Sequence, residues 1–213
     1  MAVNGVLSAA DVVADAPVIP VIVIDDLQTA VPMAQALVAG GIRMLEITLR
    51  TPQALAAMEA IAKAVPEAVV GAGTARSPED VRAAADAGAR FVVSPGYTSS
   101  VGQACRDAGL ALLPGVATGS EIMMAQADGW DVLKFFPAAA AGGAPLLKAW
   151  HGPFSEVRFC PTGGISMANA AEFLALPNVA CVGGSWLTPA KALAQKDWGA
   201  IEALARAAAQ LQR

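Results

Sequence analysis

The 213-residue sequence is poor in aromatic side chains, in net positive charge and in cysteine, and it holds a single histidine and a single tyrosine. Aromatic residues make up 5% and the formal net charge is -4, so the basic footprint of a nucleic-acid binder is missing. Cys105, Cys160 and Cys181 are widely spaced, with no CxxC pair. That argues against a disulfide framework or a zinc site and fits a reducing, cytoplasmic compartment. With His151 as the lone histidine and no coherent carboxylate cluster at the strand ends, a metal-dependent mechanism is disfavoured, and no cofactor is expected. No strongly apolar stretch is long enough to span a bilayer, and Met1-Ala2-Val3-Asn4 lacks the basic and apolar regions of a signal peptide. A soluble chain without membrane contact is expected.

What the chain does have is apolar bulk: 55% hydrophobic against 15% charged residues, enough to build one compact domain across 1–213. A unit recurs along it, an Ala-rich helix, a glycine, then a short apolar run. The glycines are Gly41, Gly88, Gly109 and Gly129, placed as helix C-caps in the left-handed conformation. Eight apolar runs read as strands: Val18 to Ile24, Met44 to Leu49, Ala68 to Gly71, Phe91 to Val93, Ala111 to Leu113, Val132 to Phe135, Val157 to Cys160 and Val179 to Val182. Strands joined by helical crossovers run parallel, and eight such units predict an α/β fold, a (β/α)8 TIM barrel. An extra N-terminal helix, Val6 to Asp15, is placed over the barrel floor. The competing architecture, an open doubly wound sheet, wants a glycine-rich dinucleotide fingerprint that Val23-Ile24-Asp25-Asp26 does not supply.

Barrels of this kind carry their chemistry at the carboxyl ends of the strands, and here those ends are polar. Asp131 to Pro137 reads as a buried strand with Lys134 inside it, although lysine is rarely buried and carries about 2 kcal/mol of rotamer entropy. Burial disfavours an ammonium ion, and a neutral amine condenses with ketones to a Schiff base. The alternative is a lysine that snorkels to water at the strand end. Side chains alternate along a strand, so Glu46, Thr48 and Arg50 share one face while Leu45, Ile47 and Leu49 share the other. Glu46 then points inward, with Lys134 as the available counter-charge; a purely structural ion pair stays open as an alternative.

Two Gly-Gly pairs, Gly163-Gly164 and Gly183-Gly184 with Ser185, are read as following the seventh and eighth strands. Barrels often bind phosphate there through backbone N–H groups. Gly71-Ala72-Gly73-Thr74 is a weaker glycine signal without the lysine of a P-loop. Asp25-Asp26 is expected to open a helix, His151 to be a loop or packing residue, Met123 and Met124 to pack within a helix, and Cys160 to be a buried small apolar residue. Ser77-Pro78 predicts a capped helix start.

Six segments together resemble the family of 2-keto-3-deoxy-6-phosphogluconate aldolases, class I pyruvate aldolases of the Entner-Doudoroff pathway. They are Val18 to Ile22, Glu46 to Thr51, Gly71 to Thr74, Lys134 to Pro137, Arg158 to Ile165 and Gly183 to Trp186. The resemblance implies that Lys134 is the Schiff-base lysine and Glu46 the general acid/base. It implies that Arg50 and Thr74 hold the pyruvyl carboxylate, that Phe136 lies beside the imine and that Thr162 bears on stereochemical choice at C4. Pro95 also matches, and Gly163, Gly164, Gly184 and Ser185 fall where phosphate is expected. Tyr97 departs from the pattern, in which a residue such as leucine usually follows Ser-Pro-Gly. Cleavage to pyruvate and glyceraldehyde 3-phosphate and a homotrimer are implied as well. Two alternatives remain at this point: the same chemistry on 4-hydroxy-2-oxoglutarate, and a non-catalytic phosphosugar-binding barrel.

Overall fold

The computed structural model describes residues 7–212, so Val6 of the expected N-terminal helix lies outside the described residues. Parallel strands and helices alternate along most of the chain. The strands are β1 (Val18–Ile22), β2 (Met44–Thr48), β3 (Val69–Gly73), β4 (Phe91–Val93), β5 (Ala111–Leu113), β6 (Gly115–Val116), β7 (Val132–Phe135), β8 (Arg158–Pro161) and β9 (Val182–Gly184). They form two sheets, ordered β5-β4-β3-β2-β1-β9 and β6-β7-β8, and every pairing is parallel. Single parallel bridges, Phe159 to Val179 and Thr162 to Gly183, connect the β8 region to the β9 region.

Both sheets curl around a shared interior. Ile19, Met44, Phe91, Ala111 and Val132, from five strands of the two sheets, belong to one apolar cluster together with Val12 and Val13 of helix α1 (Ala9–Ala14). Their immediate neighbours Val18, Leu45 and Leu133 belong to a second cluster, shared with the helices outside. The period of two along each strand thus separates an inner from an outer core. Because the strands are parallel, their amino ends lie together, and α1 closes that end. The helix starts at a capping box: the Ser8 hydroxyl accepts from Asp11 N at 3.1 Å, and Ser8 N donates to Asp11 Oδ2 at 3.0 Å.

Gly41, Gly88, Gly109 and Gly129 all take positive φ, between 65° and 91°, as expected for residues that end helices. Ser77 caps the helix α4 (Pro78–Asp86) with Pro78 in its first turn, and Asp26 caps a short 3-10 turn at Leu27–Thr29.

The fifth strand is Ala111 to Leu113, as expected; beyond it Pro114, which has no N–H for a ladder, separates β5 from the two-residue β6, which pairs with β7. Two expectations need correction. The last strand is not Val179 to Val182 but β9, which begins at Val182, so Gly183 and Gly184 pair with Ile19 and Pro20 inside the sheet instead of following it. Met123 and Met124 are not packed within their helix, α6 (Gly119–Ala127); they are 63% and 54% exposed.

Candidate active site

Lys134 is the third residue of β7, and the ladder fixes it from both sides: its N–H donates to Pro114 O at 2.9 Å, and it pairs in register with Gly115 and Cys160. Its neighbour Phe135 points the other way, into an outer aromatic stack. The Phe135 ring meets Trp150 edge-on at 5.1 Å, and Trp150 stacks on Phe159 at 5.7 Å. Anchoring Phe135 outside leaves Lys134 no choice but the interior, where it is 3% exposed.

Glu46, central in β2 and 2% exposed, meets it there: Lys134 Nζ donates to Glu46 Oε1 at 3.4 Å. The lysine does not snorkel. Phe136 follows, half-buried, with its ring centroid 5.1 Å from Nζ. Thr48, two residues beyond Glu46, is also buried, and its hydroxyl donates to Ile22 O at 2.8 Å. Leu45 and Ile47 lie in the outer core, as the alternation requires.

Lys134 opens into a cavity of about 260 Å³ at the carboxyl end of the strands, and Glu46 lies behind it, outside the cavity lining. Lys134, Arg50, Phe136, Thr162, Gly163, Gly164, Gly184 and Ser185 all line it. Thr74 is joined through Arg50, whose Nε donates to the Thr74 hydroxyl at 3.0 Å. Thr74 has φ 62°, a left-handed conformation in which a β-branched residue is a true outlier. Strain of that kind concentrates at ligand clamps. Thr162 is buried against β9, where Gly183 leaves it room: a β-carbon on Gly183 would lie 2.2 Å from the Thr162 hydroxyl. Gly163 and Gly164, at φ 100° and 75°, make the turn after β8.

Pro95 stands apart. It is not among the cavity-lining residues, and its backbone instead covers Gly115, whose β-carbon would lie 2.4 Å from Pro95 C. Just beyond it, the Tyr97 hydroxyl donates to Asp128 Oδ2 at 2.5 Å and accepts from Trp130 Nε1 at 3.1 Å. Burial, then the bond to Asp128, pushes the Tyr97 phenol above its usual range; the same bond and one from Ser99 hold the Asp128 carboxyl below its own. Tyr97 therefore ties the segment after β4 to the segment that leads into β7. His151 ends helix α7 (Gly143–Trp150) away from the cavity lining, and Cys160 is buried in the inner core.

Gly183, the first glycine of the second Gly-Gly pair, lines the cavity too, as do Val21, Val23 and Ile165, which reading for polar strand ends passes over. The available signal was position: Val21 is the inward residue two places after Ile19 in β1.

A buried amine against a buried carboxylate, at the base of a pocket where parallel strands end, is equipment for carbonyl chemistry through a covalent imine. The chain belongs to the KDPG and KHG aldolase family, whose model matches residues 9–204. It is 52% identical over 207 residues to the KHG/KDPG aldolase of Escherichia coli K12, covering 97% of each chain. It is 51% identical to the 2-dehydro-3-deoxy-phosphogluconate aldolase of Dickeya dadantii, covering 96% of each. Among solved structures it superposes with a TM-score of 0.93 on the KDPG aldolase of Legionella pneumophila, which was captured with pyruvate as a covalent carbinolamine; identity is 48%, over 96% of this chain and 99% of that one.

Proposed function

We propose that the protein is a class I aldolase that cleaves 2-keto-3-deoxy-6-phosphogluconate to pyruvate and glyceraldehyde 3-phosphate, with the whole chain, 1–213, as one catalytic domain. The observation that carries this reading is the buried contact of 3.4 Å between Lys134 Nζ and Glu46 Oε1 at the base of the cavity.

Attack on the C2 ketone requires the free amine, and Glu46 lies where it can take the Lys134 proton. It then returns a proton to the carbinolamine oxygen, and water leaves as the imine forms. The cationic imine accepts the electrons of the C3–C4 bond as that bond breaks, while the C4 hydroxyl gives its proton to Glu46, directly or through water, and becomes the aldehyde. Pyruvate remains on Lys134 as an enamine. Protonation at C3, by Glu46 directly or through water, and hydrolysis release it. Arg50, held by Thr74, supplies the cation for the pyruvyl carboxylate. Phe136 flanks the imine, and Thr162 stands beside the path of C4. Backbone groups of Gly163, Gly164 and Gly184 and the Ser185 hydroxyl are the phosphate donors in this reading.

The finer architecture belongs to the same proposal. The two sheets are one closed (β/α)8 ring, interrupted at Pro114 and joined by the Thr162 to Gly183 bridge, with α1 as an added N-terminal cover. The enzyme works as a homotrimer, which would give the exposed Met123 and Met124 a partner, in the cytoplasm and within the Entner-Doudoroff pathway.

Borohydride reduction in the presence of pyruvate tests the mechanism. The expected adduct maps to Lys134 alone and forms undiminished in a chelator; an adduct on Lys63, Lys148, Lys191 or Lys196 instead would overturn the assignment.

A further inference from the structure

Gly73, the last residue of β3, is a glycine that its own backbone does not demand. It sits in a regular parallel ladder opposite Thr48 and Val93, outside the left-handed region that Gly163 and Gly164 occupy. The demand is for space, and it comes from Glu46. A β-carbon on Gly73 would lie 2.4 Å from Glu46 Oε1, 2.7 Å from its Cγ and 2.9 Å from its Cδ. Oε1 is the oxygen that receives Lys134 Nζ.

Gly71, two residues earlier on the same face, makes an instructive pair with it. A β-carbon there would meet the Phe91 ring at 2.2 Å. The inner face of β3 is therefore a trough of two hollows: the one nearer the amino end holds an apolar ring, and the one nearer the carboxyl end holds a carboxylate. Both neighbours reach in from flanking strands, Phe91 from β4 and Glu46 from β2.

We propose that Gly73 is a positioning residue for the aldolase reaction: by carrying no side chain it reserves the volume in which the Glu46 carboxylate is held against Lys134. This rests on Glu46 being the proton carrier. Glu46 has other rotamers, and any methyl group at position 73 forces it toward one of them. Proton transfer needs hydrogen-bond reach, and a displacement of about 1 Å costs about 10²-fold in rate.

The test follows exchange of the pyruvate methyl protons with D2O by NMR, a reaction that runs through imine and enamine without the aldehyde. Gly73→Ala should slow exchange about 10²-fold, whereas the same change made in a Glu46→Gln background should alter it by no more than about twofold, because the group it displaces no longer works. An equal loss in both backgrounds, or an unimpaired Gly73→Ala enzyme, would overturn the proposal and leave the role of Glu46 standing. Wild-type exchange in Glu46→Gln alone would remove that role and the proposal with it. If Gly73→Ala does not fold, Glu46→Ala with Gly73→Ala decides: recovery of the fold supports competition for one volume, and failure to recover refutes it.

Discussion

The two ends of the interior are built from the same strands and yet obey opposite rules. At the amino end Ile19, Met44, Phe91 and Val132 pack with Val12 and Val13 of α1 into an apolar layer. One inward position further along, Met44 gives way to Glu46, Val132 to Lys134 and Cys160 to Thr162, and all three of these polar side chains are still buried. Burial alone therefore does not separate scaffold from site; the switch in chemistry within one strand repeat does. The apolar layer gains from every buried methylene, while the polar layer keeps an ion pair that well-packed apolar residues could replace without loss of stability.

The sharpest way to break this contrast is to turn one end into the other. Lys134→Met should abolish turnover and destabilise the fold by about 3–5 kcal/mol, because Glu46 is left buried without its partner. Adding Glu46→Met should recover that stability, or exceed it by about 1–4 kcal/mol, with activity still absent. Denaturant melts of the single and double variants check this, and a double variant no more stable than the single would mean that the pair holds the fold together.

The converse change falls on the apolar layer. Phe91→Ala should cost about 3–5 kcal/mol in the same melts, since the ring fills the hollow left by Gly71. Its kcat, measured well below the melting temperature, should stay near that of the unaltered protein; a large loss would mean that the two layers are coupled.

The smallest effect belongs to the cap of α1. Ser8→Ala should lower the melting temperature by about 2–4 °C and leave KM unchanged. The Ser8 hydroxyl, then its backbone N–H, hold the Asp11 carboxyl below its ordinary value. Stabilisation from a lowered carboxylate is fully present above its unfolded value of about 3.9 and is lost as the pH falls through the folded one. The gap between Ser8→Ala and the unaltered protein should therefore narrow on acidification below about pH 4, and scanning calorimetry at pH 7 and pH 3 reads it.

How much of this was legible in the sequence depended on side chains being present to read. Alternation of Leu45, Glu46, Ile47 and Thr48 announced inner and outer faces because each residue carries a signature of its surroundings. Gly183 and Gly184 carry none, so their place inside β9 was missed and the strand was set too early. Gly73 was passed over as a weak loop signal for the same reason; its role is a volume that a neighbour uses, which only coordinates reveal. β6 is two residues long, too short for any periodicity to register. The exposure of Met123 and Met124 reflects which way α6 turns against its neighbours, a tertiary matter on which composition is silent. Pro95 matched a family motif, yet its contacts are with Gly115 and not with the cavity.

Helix α1 has one more consequence. With Val12 and Val13 stoppering the amino end, the pocket is a vessel with a single neck. On the proposed mechanism, pyruvate bound to Lys134 rests at the bottom and the aldehyde fragment lies on the solvent side of it. That mechanism then runs last in, first out: the aldehyde fragment leaves before water hydrolyses the imine that holds pyruvate, and in the condensing direction pyruvate enters before the aldehyde.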